Sequence, residues 1–326
     1  MIFFQKKFMG IIIFLFFLIS GNNFAKYIFV SNENSDSITV LELQSKNFLK
    51  AIKTGGRPRD MKFNNDRTIL YVVVSEEDHI AVLDVSKLEI VDYIETGDDP
   101  EIFDIDSTGK TIAVSNEDDN ELTLIDIDTK KILKTIEDVG VEPEGVNFSP
   151  NDELVYVTSE GTNSVIIVDP WKQEIINEIL VGNRPRRGLF VNDGKEYWVS
   201  NELSGNVSVI DTKNQVIVKN IEFKVKGIRK QNITPVDFAY DKKRGLVFVT
   251  LGSANHVAVV DAITHKVQTN ILAGSRVWGA DINYNKSELI VTNGNSDDIS
   301  IIDINKSISK SAIPVGKTPH TVRVLN

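Results

Sequence analysis

The 326-residue sequence contains no cysteine. Disulfide bonds, thiolate catalysis and zinc sites built on cysteine are therefore excluded. Histidine is also scarce, with four residues in the whole chain, which leaves few ligands for a metal or haem site. Acidic residues outnumber basic ones by 46 to 36, and the net charge at pH 7 is −10. Because no basic domain is available to neutralise phosphates, we expect no nucleic-acid partner.

The motifs of the common catalytic sites are missing as well. The sequence has no GxSxG, no HExxH, no P-loop and no GxGxxG that opens a helix. We therefore expect that the protein is not an enzyme.

A long apolar run is found at the N terminus, from Met9 to Ile19, directly after Lys6 and Lys7. Its eleven residues are too few to span a bilayer, but they suit the core of a signal peptide. We predict a signal peptide over residues 1–25, cleavage after about Ala25, and a periplasmic domain over residues 26–326 that has no membrane contact. An uncleaved N-terminal anchor is the alternative.

The rest of the chain is built from one repeat. An apolar residue followed by an acid recurs seven times, and the steps between the acids are 42, 42, 43, 42, 50 and 42 residues. The acids are Glu42, Asp84, Asp126, Asp169, Asp211, Asp261 and Asp303. Each ends an alternating run such as ELTLID, and similar runs such as TIAVSN, KILKTI and GVNFSP occupy the remainder of each unit. Period-two alternation of β-branched and aromatic residues is typical of strands.

Four strands in about 42 residues is the period of a β-propeller blade. We predict an all-β, seven-bladed β-propeller with four-stranded antiparallel blades, whose strands we label a to d from the channel outward. An open β-solenoid or two sandwiches are the alternatives. The chain begins with a strand of type b, at Tyr27, and ends with a strand of type a, His320 to Asn326. The C-terminal strand should therefore close the ring inside the N-terminal blade.

The repeat resembles that of the YVTN-type propellers, whose consensus runs roughly PxGVAVSPDGKxLYVANxxxxTVSVIDTxTxxVxxTIPVG. The match is close in EPEGVNFSPNDELVYVTSEGTNSVIIVD, from Glu142 to Asp169. Within that group the signal peptide, the single domain and the seven units are similar to the propeller proteins associated with PQQ-dependent alcohol catabolism. This resemblance implies a periplasmic protein of a quinoprotein oxidation pathway. The propellers of haem d1 proteins and of amine dehydrogenase heavy chains are more distant look-alikes.

Arginine is concentrated in the segments that join strand d of one blade to strand a of the next. Seven of the ten arginines in the chain fall there: Arg57, Arg59, Arg184, Arg186, Arg187, Arg229 and Arg276. Because these segments lead into the innermost strand, we expect the arginines to surround one mouth of the central channel. Guanidinium groups bind carboxylates and phosphates, so the interpretation is an anion-binding mouth. The alternative is that they pair with nearby acids such as Asp60, Asp98, Asp99, Glu101, Glu142 and Glu144 and tie the blades together.

Two further residues belong to the same predicted site. Trp278 offers a flat ring for stacking a planar ligand, although packing between blades would also explain it. His320 is a candidate haem or metal ligand or proton donor, or an ordinary hydrogen-bonding residue. The fifth unit is eight residues longer than the others, and its basic segment from Lys224 to Pro235 lies on the same face. We assign no metal site.

These features favour a monomeric, non-enzymatic binding or accessory protein. Its ligand would be an anionic small molecule, or its partner a protein of the quinoprotein pathway. PQQ, a planar tricarboxylate, is a candidate cofactor. Trp171, Trp198 and Trp278 fall at unrelated repeat positions, unlike the tryptophans of PQQ dehydrogenases, so we expect that the chain is not the dehydrogenase itself. The alternatives are a propeller enzyme, such as a lactonase or a haem d1-type oxidoreductase, and a scaffold without a ligand.

Overall fold

The computed structural model describes residues 26–285 and 287–326. The predicted signal peptide, residues 1–25, lies outside the described residues. In the part of the chain that is described, no helix is both long enough and apolar enough to cross a membrane. Three short 3₁₀ helices occur there, at Glu33–Ser35, Ser75–Glu77 and Lys230–Asn232.

The strands follow one another with short turns between them. In chain order they are β1 (Tyr27–Asn32), β2 (Ser37–Glu42), β3 (Phe48–Lys53), β4 (Pro58–Phe63), β5 (Ile69–Val74), β6 (His79–Asp84), β7 (Glu89–Glu95), β8 (Pro100–Ile105), β9 (Thr111–Asn116), β10 (Glu121–Asp126), β11 (Lys131–Ile136), β12 (Pro143–Phe148), β13 (Val155–Ser159), β14 (Ser164–Asp169), β15 (Glu174–Leu180), β16 (Pro185–Val191), β17 (Glu196–Asn201), β18 (Asn206–Asp211), β19 (Val216–Glu222), β20 (Phe238–Asp241), β21 (Leu246–Thr250), β22 (His256–Asp261), β23 (Val267–Leu272), β24 (Val277–Asn283), β25 (Glu288–Asn293), β26 (Asp298–Asp303), β27 (Ile308–Pro314) and β28 (Pro319–Val324).

The prediction of a seven-bladed β-propeller is confirmed. The described strands form seven four-stranded antiparallel sheets. Blade 1 has the strand order β28-β1-β2-β3, and blades 2 to 7 each take the next four strands of the chain, from β4 to β27. The last strand therefore closes the ring as predicted, with Val322 opposite Val30 and Val324 opposite Ile28. The a strands of successive blades contact one another, so they surround the central channel.

The core lies between the blades. Strands b and c are buried on both faces, whereas the outermost strand d has an exposed pattern with one buried position near its end. Each apolar cluster draws on two neighbouring blades; for example, Tyr71 and Ile80 of blade 2 pack with Phe103 and Ile112 of blade 3. A β-bulge interrupts the pairing of strands c and d at the same point in every described blade, and bulges increase the local twist.

A repeated hydrogen bond sets one blade against the next. Near the end of strand b, a hydroxyl donates at 2.6–2.8 Å to the backbone carbonyl of the second residue of strand a in the following blade, or, in blade 6, to that of Val236, two residues before strand a. The donors are Ser31, Ser115, Thr158, Ser200, Thr250 and Thr292. In blade 2 the corresponding residue is Val73, and Ser75 donates to the carbonyl of Pro100 instead, at 2.7 Å. The bond fixes the backbone of the residues that face the channel.

Candidate functional site

The turns between strands d and a hold three of the predicted arginines at the rim of the channel. Arg57, Arg184 and Arg276 each adopt a left-handed backbone conformation, with φ of 55°, 55° and 57° directly before strand a. This conformation is unfavourable for residues other than glycine, so it needs support from its surroundings. The backbone N–H of Arg184 donates to Asn163 Oδ1 at 2.9 Å, and that of Arg276 donates to Asn255 Oδ1 at 2.8 Å. We call these three residues the outer arginines.

Further into the channel lies the second residue of strand a, and in blade 6, where strand a begins at Phe238, the equivalent residue is Val236. The seven positions hold Arg59, Glu101, Glu144, Arg186, Val236, Trp278 and His320. We call this set the inner ring. It is uneven, because basic and acidic residues occupy blades 2 to 5, whereas an indole and an imidazole occupy blades 7 and 1.

The arginines of the inner ring are buried and fully engaged with acids. Arg59 donates to Glu33 Oε1 at 2.8 Å and pairs with Glu101. Arg186 pairs with Glu144 at 3.1 Å and with Glu160. These contacts join neighbouring blades, so for Arg59 and Arg186 the geometry matches the blade-tying alternative.

Within this network, Arg186 and Glu144 stabilise each other's charge against burial, whereas burial dominates for Arg59, whose pKa it lowers, and for Glu160, whose pKa it raises. Burial lowers the pKa of Arg186, but the attraction of Glu144, Glu160 and Glu202 outweighs it and raises the pKa above its ordinary value. Burial likewise raises the pKa of Glu144, but Arg186 and Arg59 hold it below its ordinary value. Both groups are therefore charged at neutral pH, and each depends on the other for that state.

The outer arginines are less completely neutralised. Their side chains are 33%, 45% and 38% exposed for Arg57, Arg184 and Arg276. Arg57 lies 3.3 Å from both Asp99 and Glu101, and Arg184 donates to Glu160 at 2.6 Å. The ion pair found for Arg276 is much looser, at 3.9 Å from Glu202. Arg276 is thus the cation with the most capacity left for a ligand.

Trp278 and His320 form a corner beside Arg276. Trp278 is 8% exposed and His320 is 2% exposed, and their ring centroids are 5.7 Å apart. Trp278 Nε1 and His320 Nε2 have no hydrogen-bond partner among the described residues. Burying such groups without a partner is costly, so the pair points to a ligand. Burial, with Arg59, Arg187 and Arg186 nearby, holds the pKa of His320 well below its usual value, and the imidazole is neutral.

A cavity of about 310 Å³ opens between these groups. Seven of the nine predicted site residues line it: Arg57, Arg59, Arg184, Arg186, Arg276, Trp278 and His320. The Trp278 ring, which was predicted to stack a planar ligand, is already covered by two arginines. The guanidinium carbons of Arg276 and Arg186 lie 4.5 and 5.1 Å from the centre of the ring. A planar ligand would have to replace one of these guanidinium groups.

Two predicted residues do not line the cavity. Arg229 was predicted to share the mouth, but it is exposed on the long insertion of blade 6 directly before the 3₁₀ helix Lys230–Asn232. The insertion lengthens the segment before strand a, and Arg229 is not among the residues that line the cavity. Arg187 is one residue deeper than the inner ring, is buried, and pairs with Asp60 at 3.5 Å. That contact joins blade 5 to blade 2 across the channel.

The acids of the site come in part from positions that the sequence analysis did not identify. Glu33, Glu117, Glu160 and Glu202 follow strand b in blades 1, 3, 4 and 5. Glu33 and Glu117 line the cavity, and Glu160 and Glu202 pair with its arginines. A repeated pattern in the sequence could have identified these four acids, because each ends an SNE or TSE triplet at the end of strand b, on the same face as the arginines.

An acidic cluster and a second cavity also occur in the described part of the chain. Oxygens of Asp99, Glu101 and Glu117 lie within 4.8 Å of one another, but Arg57 pairs with two of the three carboxylates. A larger cavity of about 540 Å³ lies on the opposite face, at the seam between Tyr27 and the C-terminal residues. None of the predicted site residues lines it.

Comparison with known proteins agrees with this architecture. Residues 105–326 match the family model described as the cytochrome D1 heme domain, and residues 17–151 match the YNCE-like beta-propeller model. A comparison with curated proteins gave no significant match.

Similar solved structures share the fold at low sequence identity. The periplasmic gluconolactonase PpgL of Pseudomonas aeruginosa is 14% identical with a TM-score of 0.77, over 92% of this chain and 99% of the other. Hydrazine synthase of Kuenenia stuttgartiensis is 18% identical with a TM-score of 0.75, over 84% and 91%. Dihydro-heme d1 dehydrogenase NirN, in complex with DHE, is 12% identical with a TM-score of 0.69, over 91% and 74%. At these identities the likeness concerns the fold alone.

Proposed function

The chain belongs to the cytochrome D1 heme domain family, and we propose that it is a periplasmic, non-enzymatic binding protein that holds a small carboxylate-bearing molecule at the mouth of its channel. The observation that carries the proposal is the corner in which two buried and unpartnered ring nitrogens, of Trp278 and His320, accompany the loosely paired Arg276. A carboxylate accepts from such donors, and a guanidinium supplies the opposite charge.

The division of the arginines into two layers supports this role. The inner arginines are neutralised by buried acids and keep the blades in register, whereas the outer arginines keep exposed donors. We therefore assign blade tying to the inner arginines and anion binding chiefly to Arg276, because Arg57 and Arg184 also pair with acids of neighbouring blades. A ligand would contact the outer layer and the Trp278–His320 corner without disturbing the buried pairs.

The name of the family refers to a haem, but the residues at the mouth do not fit a macrocycle. Binding a macrocycle requires apolar cover on its flat faces. The lining supplies the indole of Trp278, which two guanidinium groups already cover, and the small imidazole of His320. The volume of about 310 Å³ is also near the lower end of the range of small-molecule sites. The proposed function therefore involves no haem.

The residues that line the cavity also favour binding over covalent chemistry. A single hydroxyl group, that of Thr318, lines it among the described residues, and its Oγ1 accepts from Asn34 Nδ2 at 2.6 Å. The hydroxyl of Thr321 lies 3.0 Å from His320 Nδ1 but is buried below the cavity. Among the described residues, no hydroxyl with an adjacent base lines the cavity, which is the arrangement that activates a serine or threonine nucleophile.

The resemblance to propellers of PQQ-dependent alcohol catabolism suggests where the ligand would come from. We include in the proposal a role beside quinoprotein oxidation, with PQQ or a partner protein of that pathway as candidates. The paired state of the inner arginines argues against PQQ, because its three carboxylates would meet few arginines that are free to bind them.

Calorimetry on the mature protein, residues 26–326, tests the proposal with two matched variants. Arg276→Gln should weaken the binding of carboxylates, PQQ included, about tenfold or more, which corresponds to about 1.4 kcal/mol. Arg229→Gln removes an exposed arginine outside the cavity and should bind like the wild type. Equal binding by both variants would overturn the proposal, as would a haem spectrum in the purified protein or turnover of a lactone.

A further inference from the structure

Among a lining of paired arginines and acids, the cavity has a loosely paired cation on one side and an acid without a close ion pair on the opposite side. Arg276, Trp278 and His320 belong to blades 7 and 1, on one side of the channel. Glu117 belongs to blade 3, on the far side, and lines the same cavity. In a ring of seven blades these positions face each other across the mouth, so a ligand that fills the cavity contacts both walls.

Three acids line the cavity among the described residues, and Glu33 and Glu144 are paired with Arg59 and Arg186, whereas Glu117 is not. Within the described part of the chain, no ion pair of Glu117 is found, although oxygens of Asp99 and Glu101 lie within 4.8 Å of it. Arg57 pairs with both of those neighbours. Burial, and then the charge of Glu144, raises the pKa of Glu117, and the more distant charges of Arg59 and Arg186 offset this only in part.

The opposite corner presents a set of donors. Thr321 Oγ1 lies 3.0 Å from His320 Nδ1. In the tautomer in which this hydroxyl donates to Nδ1, His320 Nε2 carries the proton. The unpartnered N–H groups of Trp278 and His320 then join the Arg276 guanidinium as donors suited to one carboxylate.

We infer that the ligand of the mouth is a small zwitterion whose carboxylate lies against Arg276, Trp278 and His320 and whose ammonium group lies against Glu117. This inference rests on the proposed function and names the class of its ligand. An ammonium group would supply the cation that Glu117 lacks. A polyanion such as PQQ would instead place a negative group beside Glu117, Asp99 and Glu101.

The test compares amino acids with matched acids on the mature protein. Calorimetry would use glycine, β-alanine, γ-aminobutyrate and δ-aminovalerate, each beside acetate, propionate, butyrate or valerate of the same carbon number, and PQQ separately. In the wild type, the amino acid whose length fits the cavity should bind about tenfold or more tightly than its matched acid. Glu117→Gln should abolish that difference and leave the affinity for the acid unchanged. Asp118→Asn, a change at the exposed neighbouring residue, should keep the difference.

The outcomes separate the two proposals. If acids and amino acids bind the wild type equally, or if PQQ binds more tightly than every amino acid, the zwitterion inference is overturned and the carboxylate-binding function stands. If no amino acid, no acid and no PQQ binds, both proposals fail. The wild-type comparison alone tests the inference even if Glu117→Gln does not fold.

Discussion

Arg186 and Arg276 contact the same indole ring, but the free energy of unfolding should depend on them very differently. Arg186 is buried between Glu144 and Glu160, whereas Arg276 is 38% exposed with its paired acid at 3.9 Å. Arg186→Ala would leave buried carboxylates without a counter-ion, and we expect a loss of about 3–5 kcal/mol. Arg276→Ala should cost less than about 1 kcal/mol. Urea unfolding of both variants measures the difference, and equal losses would contradict the division into two layers.

His320 should make stability depend on pH between about 5 and 6.5. Burial, together with the charges of Arg59, Arg187, Arg186 and Arg323, lowers its pKa in the folded state, whereas in the unfolded chain the pKa is about 6.5. Below the unfolded value, the unfolded chain binds a proton that the folded chain does not. Stability is therefore present above about pH 6.5 and is lost as pH falls, by up to about 1.4 kcal/mol per pH unit.

The contribution of His320 can be isolated by difference. Unfolding free energies of the wild type and His320→Gln would be measured in urea at several pH values between 5 and 7. We expect the gap between the two proteins to change with pH in that window. Parallel curves would show that His320 is not buried in its neutral form.

At the level of single residues, the sequence allowed the positions of the inner arginines to be predicted, but not which acids pair with them. Arg59 and Arg186 could be placed because each follows a proline that opens strand a, and that position recurs in the repeat. Glu33 and Glu160 come from strand b of a neighbouring blade, and only the assembled ring shows which acid meets which arginine. The sequence therefore suggested both binding and blade-tying without assigning either to particular residues.

Among the elements, the b strands connect the blades through their hydroxyl groups. Ser115 Oγ donates to the carbonyl of Glu144 in the next blade at 2.6 Å and is fully buried. Ser115→Ala removes the donor and leaves a buried carbonyl without this hydrogen bond, so we expect a loss of about 1–3 kcal/mol. Ser253→Ala, at an exposed serine, should change stability by less than about 0.5 kcal/mol. Denaturant titrations of the two variants make the comparison, and similar values would argue against the inter-blade bond.

Strand count and ring closure could be predicted because every unit has the same length and strand order. The exception was the insertion of blade 6. There Val236 occupies the inner-ring position, and Phe223, Val225 and Ile233 bury the loop that carries Arg229 against the core. A fixed offset within the repeat no longer gives the position of a residue once the connecting segment lengthens, so the repeat alone does not place Arg229.

For the whole molecule, closure of the ring depends on β28. This strand pairs with β1 and brings Val322 and Val324 into an apolar cluster with Ile28, Val30 and residues of blade 7. Deleting residues 319–326 should expose the edge of β1 and remove this packing between blades 7 and 1. Because each blade is stabilised by its neighbours, we expect a large fall in melting temperature and a less cooperative transition. Deleting Asn326 alone leaves β28 complete and is the matched control. Circular dichroism melts of the two truncated proteins compare them, and an eight-residue deletion that melts like the control would show that the ring does not depend on its closing strand.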